Sequence, residues 1–322
     1  MTKVKWGVLG CASFAHNRTI PAMLASPSVE LVGVASRTRQ KAEAFRSEFK
    51  LERAYDSYDA MLADPDIQAI YNPLPNGLHA EWMIKAAQMN MHTLCEKPFT
   101  SNASEARQVA SAVRHAGVYV MEAFMWRLHS QHRRARQAIE RGEIGPLRLV
   151  RASFSFPLPR KPNVRLVQEL AGGSVMDIGC YPISAARYYY GEEPVLAYAQ
   201  GTFDPEYGVD MRMVGILEFP RGQALIDCAF DLPYRTELEI AGESGAIRIP
   251  RSWLPDTEAT LTINNVTERL PAENQYIAEF EHFSQCILSE SPPAYGPDDA
   301  VRQMMVIDAV RRSMKSGKPE PI

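Results

Sequence analysis

The chain has 322 residues, 46 % hydrophobic and 23 % charged, with a formal net charge of -3. That length predicts two domains whose cores need no staple or metal, and the near-average composition excludes disorder and fibrous repeats. No run approaches the ~18 apolar residues of a membrane span, and a mildly acidic whole gives no electrostatic reason to expect nucleic acid.

The start, MTKVKWGVLGC, passes from two lysines into a strand-like run without a signal-peptide core. Five scattered cysteines without a C-x-x-C suit a reducing cytoplasm and argue against disulfides or a zinc site. The expectation is a cytoplasmic enzyme or binding protein.

Val4–Leu9 reads as a buried strand, turning at Gly10 into a helix through Ile20, Met23 and Leu24. Strands follow at 31–35, 69–71, 93–95 and 118–121, separated by helical patterns at 38–49, 79–89 and Ala103 to Ala116. Strands alternating with helices of this length predict βαβ units and a doubly wound parallel sheet, an α/β Rossmann-type domain over residues 1–122.

Residues 123–322 change rhythm. A helix is predicted over 127–141, a strand region from 147 and a helix over 174–190. Strands between 195 and 270 are separated by turn signals at Phe219-Pro220-Arg221-Gly222, Gly242-Glu243-Ser244-Gly245 and Asn264-Asn265. Such short turns predict antiparallel neighbours. Helices at Gln275–Leu288 and 298–315 close an α+β domain with a large, mostly antiparallel sheet. With helices for one face of that sheet, the other face is expected to bury itself against a second copy in a twofold dimer.

Gly10, Ala12 and Ala15 form G-x-A-x-x-A at the first strand-to-helix turn. A dinucleotide fold needs small residues there, and the following helix offers N–H groups to a pyrophosphate. The motif alone also fits a generic βα turn. The second strand ends in Ser36-Arg37, with Arg39 and Lys41 following and no acid until Glu43. Those groups favour a 2′-phosphate, hence NADP; Arg37 stacked on adenine, with NAD also accepted, is the alternative.

Glu96-Lys97-Pro98 ends a predicted parallel strand, where open α/β sheets bind ligands. A surface lysine starting a turn is the plainer reading. Asp177 and Tyr181 lie four apart and share a face if that stretch is helical. A tyrosine beside an ammonium becomes usable for proton transfer, although a packed core tyrosine fits the pattern as well. His129 and His132 lack companion ligands and read as a solvated helix, with no metal site. Arg133-Arg134-Ala135-Arg136 reads as an exposed helix face.

Taken in order, the Gly10 turn, Ser36-Arg37, Pro75-Asn76-Gly77-Leu78-His79, Glu96-Lys97-Pro98 and Gly172-Gly173 through Asp177 and Tyr181 resemble the Gfo/Idh/MocA family of oxidoreductases. Met121-Glu122-Ala123-Phe124-Met125-Trp126-Arg127 and the Tyr at 181 are similar to its branch of dimeric dihydrodiol dehydrogenases and NADP-dependent D-xylose 1-dehydrogenases.

The resemblance implies hydride transfer between NADP and a hydroxyl-bearing carbon of a sugar or trans-dihydrodiol. Tyr181 would be the acid/base, Lys97 would supply positive charge, and Asp177 would hold a substrate hydroxyl or orient the lysine. Gly10, Cys11, Ala12, Ser13, Phe14, Ser36, Arg37, Lys41, Pro73, Leu74, Asn76, His79, Glu96 and Lys97 would meet the cofactor. Trp126, Arg127, Phe154 and Phe156 would wall the substrate, and the Lys97–Pro98 bond would be cis. The scaffold also serves NAD-dependent glycosidases and non-catalytic dinucleotide sensors, which stand as alternatives.

Overall fold

The computed structural model describes residues 2–255 and 259–322. The chain divides into two units, Met1–Met125 with Asn274–Val301, and Trp126–Glu273 with Arg302–Ile322.

The first unit carries six strands: β1 (Val4–Leu9), β2 (Val29–Ala35), β3 (Arg53–Tyr55), β4 (Ala69–Asn72), β5 (His92–Glu96) and β6 (Val120–Ala123). All pair in parallel, in the order β3-β2-β1-β4-β5-β6. This is the doubly wound arrangement, and its strand order reverses between β1 and β4, where such sheets bind ligands. Helices α1 (Ile20–Ala25), α2 (Arg39–Phe49), α3 (Tyr58–Leu62), α4 (His79–Gln88) and α5 (Ala103–Ala116) connect the strands. Val4, Trp6, Val8 and Leu9 of β1 are all buried, which explains why a central strand reads as a nearly unbroken apolar run. A π-helical turn, Ala15–Thr19, precedes α1 where the sequence predicted a single helix.

A single cut after residue 122 is not how the molecule is divided. After α6 (Ser130–Glu140) and α7 (Cys180–Tyr190) of the second unit, α8 (Gln275–Leu288) returns to the first. There Trp6 Nε1 donates to Ser284 Oγ at 3.1 Å, and the Phe280 and Phe283 rings lie 5.5 and 5.8 Å from Trp6. The apolar pattern of a helix shows that it is buried but not which core it joins. The last helix is α9 (Pro297–Ser316).

Among the described residues, the second unit is built on nine strands. They are β7 (Leu147–Ser155), β8 (Leu196–Phe203), β9 (Asp210–Phe219), β10 (Gly222–Ala229), β11 (Leu238–Gly242), β12 (Ala246–Ile249), β13 (Ala259–Ile263), β14 (Val266–Leu270) and β15 (Glu320–Pro321). Their order is β14-β13-β12-β11-β7-β10-β9-β8-β15, with β7 and β10 parallel and every other pair antiparallel. The short turns predicted from sequence are hairpins; Asn264 and Asn265, both at positive φ, join β13 to β14. Residues of β9 alternate between buried and exposed, so the sheet has one covered and one open face.

Two local expectations change. Residues 127–141 are not one helix: a 3₁₀ turn, Met125–Leu128, leads to α6, whose N-cap is His129. His129 and His132 are fully buried rather than solvated. The His132 ring stacks against Trp253, with Nδ1 2.7 Å from Tyr189 OH and Nε2 2.7 Å from Ser252 O. On the same helix, Arg134 is ion-paired with Glu143 and Glu268, and Arg133 with Glu273, so the basic stretch is largely neutralised.

Candidate active site

The ends of β1 and β4 form a cradle suited to a dinucleotide. Gly10 has φ +101°, and a Cβ there would lie 2.9 Å from Leu74 Cδ2 in the loop after β4. Only glycine fits both the backbone and the space. Leu74 N donates to Asn72 Oδ1 at 3.3 Å, fixing that loop. Pro73 is buried beside Leu74, and Ala12, Ser13 and Phe14 keep exposed surface ahead of the π-helical turn. Cys11 is buried; its Sγ points to the Lys41 carbonyl at 3.7 Å, and burial pushes its thiol pKa up. This cysteine is packing rather than a nucleophile.

At the end of β2, Ser36 is buried while Arg37 and Lys41 are exposed. Arg39 is committed elsewhere. With Arg46 it binds Glu43, at 2.8 and 2.6 Å, and these bonds hold the Glu43 carboxyl below its usual pKa. The first acid after β2 is therefore neutralised, and the β2 end presents the exposed Arg37 and Lys41.

Lys97 follows the last residue of β5, and its bond to Pro98 is cis, as the resemblance implies. Glu96 accepts from Tyr71 OH at 2.6 Å. Asn76 opens a short 3₁₀ turn and is partly exposed. His79 differs from expectation. Its ring is fully buried, with Nδ1 2.9 Å from Pro98 O and Nε2 2.7 Å from Leu74 O. It ties the Leu74 loop to the Lys97-Pro98 turn and shows no edge to a ligand.

In the second unit, a π-helical turn, Val175–Gly179, runs directly into α7 and carries Asp177 to one turn before Tyr181. Asp177 is 8 % exposed and Tyr181 5 %. Arg165 Nε donates to Asp177 Oδ2 at 2.6 Å. The Tyr181 ring meets Phe154 edge-on at 5.2 Å and Trp253 at 5.6 Å. Of the two predicted phenylalanines, Phe154 meets Tyr181 directly, and Phe156 packs 6.3 Å from Phe154 and 5.4 Å from Phe230.

Trp126 and Arg127 do not have the predicted place in that wall. Trp126 is fully buried among His132, Tyr188 and Trp253, and Arg127 donates from Nε and Nη2 to Ser184 Oγ. Both are core residues of the second unit.

Sequence reasoning missed Arg165, Trp253 and Asp210. Asp210 Oδ2 accepts from Ser174 Oγ and Val175 N, both at 2.7 Å, and so caps the segment bearing Asp177. Arg165 reaches Asp177 from the preceding loop, Trp253 meets Tyr181 from far along the chain, and Asp210 holds the start of the turn from β9; no local spacing signals any of the three. Among the described residues, no group of three His, Cys, Asp or Glu could hold a metal ion.

A six-stranded parallel sheet with a glycine cradle at its switch point, and a second unit whose π-helical turn and α7 carry a buried carboxylate and tyrosine, are features of a dinucleotide-dependent oxidoreductase. Residues 4–124 match the oxidoreductase family with an NAD-binding Rossmann fold, and residues 132–248 match the GFO/IDH/MocA C-terminal domain. The chain belongs to the Gfo/Idh/MocA family.

It is 37 % identical over 320 residues to a D-xylose 1-dehydrogenase (NADP(+)) of Haloferax volcanii, covering 97 % of this chain and 98 % of that one. It is 31 % identical to the trans-1,2-dihydrobenzene-1,2-diol dehydrogenase of Xenopus laevis, covering 89 % and 91 %. Among solved structures, a 3-ketoreductase from Actinomadura kijaniata in complex with NADP and TDP-benzene superposes with TM-score 0.91 at 31 % identity, covering 97 % and 98 %.

Proposed function

We propose that this oxidoreductase is an NADP-dependent dehydrogenase that oxidises a hydroxyl-bearing carbon of a sugar, such as C1 of an aldose, or of a trans-dihydrodiol. The observation that carries this reading is the setting of Tyr181. Its phenol is nearly buried against Phe154, one turn from a carboxylate that is itself ion-paired. The similarity to the D-xylose 1-dehydrogenase, which extends over almost the whole length, supports this reading.

NADP is the cofactor that the exposed Arg37 and Lys41, with buried Ser36, accommodate. When bound, it supplies the hydride acceptor. Tyr181 takes the substrate hydroxyl proton during oxidation and returns it during reduction. Lys97 offers positive charge to the oxygen as it becomes anionic, a stabilisation worth most where water is excluded. Asp177 accepts from a second substrate hydroxyl. The backbone around Gly10 and Leu74 positions the dinucleotide, with His79 bracing the Leu74 loop from behind.

The open face of the second unit's sheet exposes Val214 and Ile216 of β9 and Leu225 of β10. We infer that a second copy covers it in a twofold homodimer. Among the described residues no helix is long and apolar enough to cross a membrane, and we place the enzyme in the cytoplasm on the strength of its free cysteines.

The test is NADPH formation from a panel of aldoses, inositols and dihydrodiols, run with wild type, Lys97→Met and Tyr181→Phe. At least one substrate is expected to be oxidised, with turnover in each variant lowered by roughly 10²-fold or more and NADPH binding retained. Wild-type turnover in either variant would sink the assignment. Net NADPH release, absent from a redox-neutral glycosidase cycle or a sensor, separates those alternatives.

A further inference from the structure

We propose that Tyr58 is a specificity-determining residue for the cofactor: its hydroxyl donates, beside Arg37, to the 2′-phosphate that distinguishes NADP from NAD. This rests on the NADP reading above and adds to it a residue from the start of α3, which no motif marks.

Tyr58 is aimed by the way α3 lies on the sheet. Just past β2, Ser36 N donates to the carbonyl of Tyr55, the last residue of β3, at 3.1 Å, which ties the two strand ends together. Ser57 then caps α3, its Oγ accepting from Ala60 N at 3.1 Å. Tyr58 and Met61 stand three apart, on one face of that helix, and both press on β1 and its turn. A Cβ on Gly7 would lie 2.6 Å from Met61 Sδ, and one on Gly10 would lie 3.7 Å from Tyr58 OH. The Tyr58 ring meets Trp82 edge-on at 4.9 Å, so packing holds the hydroxyl at the Gly10 turn.

The electrostatic neighbours of the phenol are the Arg37 guanidinium, past the end of β2, and Cys11, next to Gly10. The hydroxyl therefore stands between the strand end and the turn. Burial raises its pKa, against the opposing effect of Arg37, so at neutral pH it keeps an O–H to donate. No group among the described residues accepts that O–H. In a doubly wound sheet the first turn lies under the dinucleotide and the end of the second strand reads the ribose 2′ position. A hydroxyl between the two faces the 2′ substituent. A phosphate there is anionic and accepts only, and a guanidinium with a phenol O–H beside it supplies the donors. The 2′-hydroxyl of NAD carries no charge to reward either group.

The experiment measures equilibrium binding to the full-length protein by calorimetric titration, without turnover. It compares NADPH with NADH, and adenosine 2′,5′-bisphosphate with 5′-AMP, so that each pair differs only in the 2′-phosphate. Wild type and Tyr58→Phe are titrated, with urea unfolding as the control for folding. Wild type is expected to bind the 2′-phosphorylated member of a pair at least ~10-fold more tightly. Tyr58→Phe, which keeps the ring on Trp82, should weaken that member roughly tenfold and leave the other within about twofold.

Unchanged affinities in folded Tyr58→Phe overturn the proposal and leave the NADP reading intact. So does an equal loss on both members of a pair, which marks a role in holding the shared adenosine or in the packing of α3. Equal binding of both members of each pair by the wild type overturns the NADP reading, and this inference with it.

Discussion

Asp210, the first residue of β9, holds the amide of Val175 with the same oxygen that accepts from Ser174 Oγ, each at 2.7 Å. One carboxylate therefore fixes the start of the π-helical turn that delivers Asp177 and Tyr181. Burial pushes the Asp210 pKa up, and the hydrogen bonds from Ser174 and Val175 oppose that rise.

Asp210→Ala leaves a buried amide and hydroxyl without an acceptor, a loss of about 1–3 kcal/mol each at most. Asp210→Asn keeps one oxygen in place and should lose less. Urea unfolding should rank wild type above Asn above Ala. kcat for the best substrate should fall in the same order while NADPH affinity stays unchanged, because the cofactor cradle lies in the other unit. Equal stability of Asp210→Ala and wild type would contradict this role.

Cofactor choice gives a second prediction. Arg37 is exposed at the end of β2, and the first acid that follows it in the sequence, Glu43, is bound by Arg39 and Arg46. Removing a guanidinium from a phosphate typically forfeits a charge-assisted hydrogen bond of about 1.5–3 kcal/mol. Arg37→Ala should therefore raise KM for NADP by roughly 10- to 100-fold and leave KM for NAD within about twofold, measured by initial rates on one substrate. A parallel loss for both cofactors would instead point to Arg37 stacking on adenine.

The first unit was legible because its signals are local. β1 is a nearly unbroken apolar run, and Gly10, Ser36 and Lys97 sit at strand ends, where parallel sheets present ligand sites. The hairpins of the second unit were legible for the same reason, through Asn264-Asn265 and the other turn residues. What stayed hidden depends on contacts between distant stretches. Arg165 reaches Asp177 across a loop without a motif, and α8 joins the Trp6 core after a detour of some 150 residues through the second unit. Trp126 and His79 fell at motif positions, yet the fold uses them to hold neighbours together rather than to face a ligand. The Gly172-Gly173 pair was seen as part of a motif, but its physical reason appears only with Arg165 O and the Asp210 carboxylate drawn against it.

The open sheet face provides a test of assembly. Val214 is 66 % exposed at the middle of β9, with Ile216 and Leu225 at 38 % each beside it. They border a concavity of about 710 Å³ whose rim includes Arg151, Glu239 and Arg248. A twofold interface repeats any substitution on both sides. Val214→Asp would thus bury two carboxylates, each costing several kcal/mol when unpaired. Sedimentation equilibrium should show a wild-type dimer at micromolar concentration and a dimer weakened at least ~10-fold in Val214→Asp. A wild-type monomer under these conditions would rule out the homodimer.

His132 should shape the acid limb of stability. Burial lowers its pKa to about 3, whereas an unfolded histidine titrates near 6.5. Between those values the unfolded chain carries a proton that the native chain lacks, so unfolding becomes easier as pH falls. The contribution of neutral His132 is complete above pH 6.5 and declines by roughly 1 kcal/mol per pH unit toward pH 3. His79, His129 and His282 are also held below their usual values, chiefly by burial, and add slopes of the same sign. His132→Gln cannot titrate. Whatever it loses in absolute stability through Tyr189, Ser252 and Trp253, its unfolding free energy should fall less steeply between pH 7 and pH 5. The difference in slope approaches one proton, as read from urea midpoints at several pH values. Identical slopes for variant and wild type would show that His132 is not the group that titrates on unfolding.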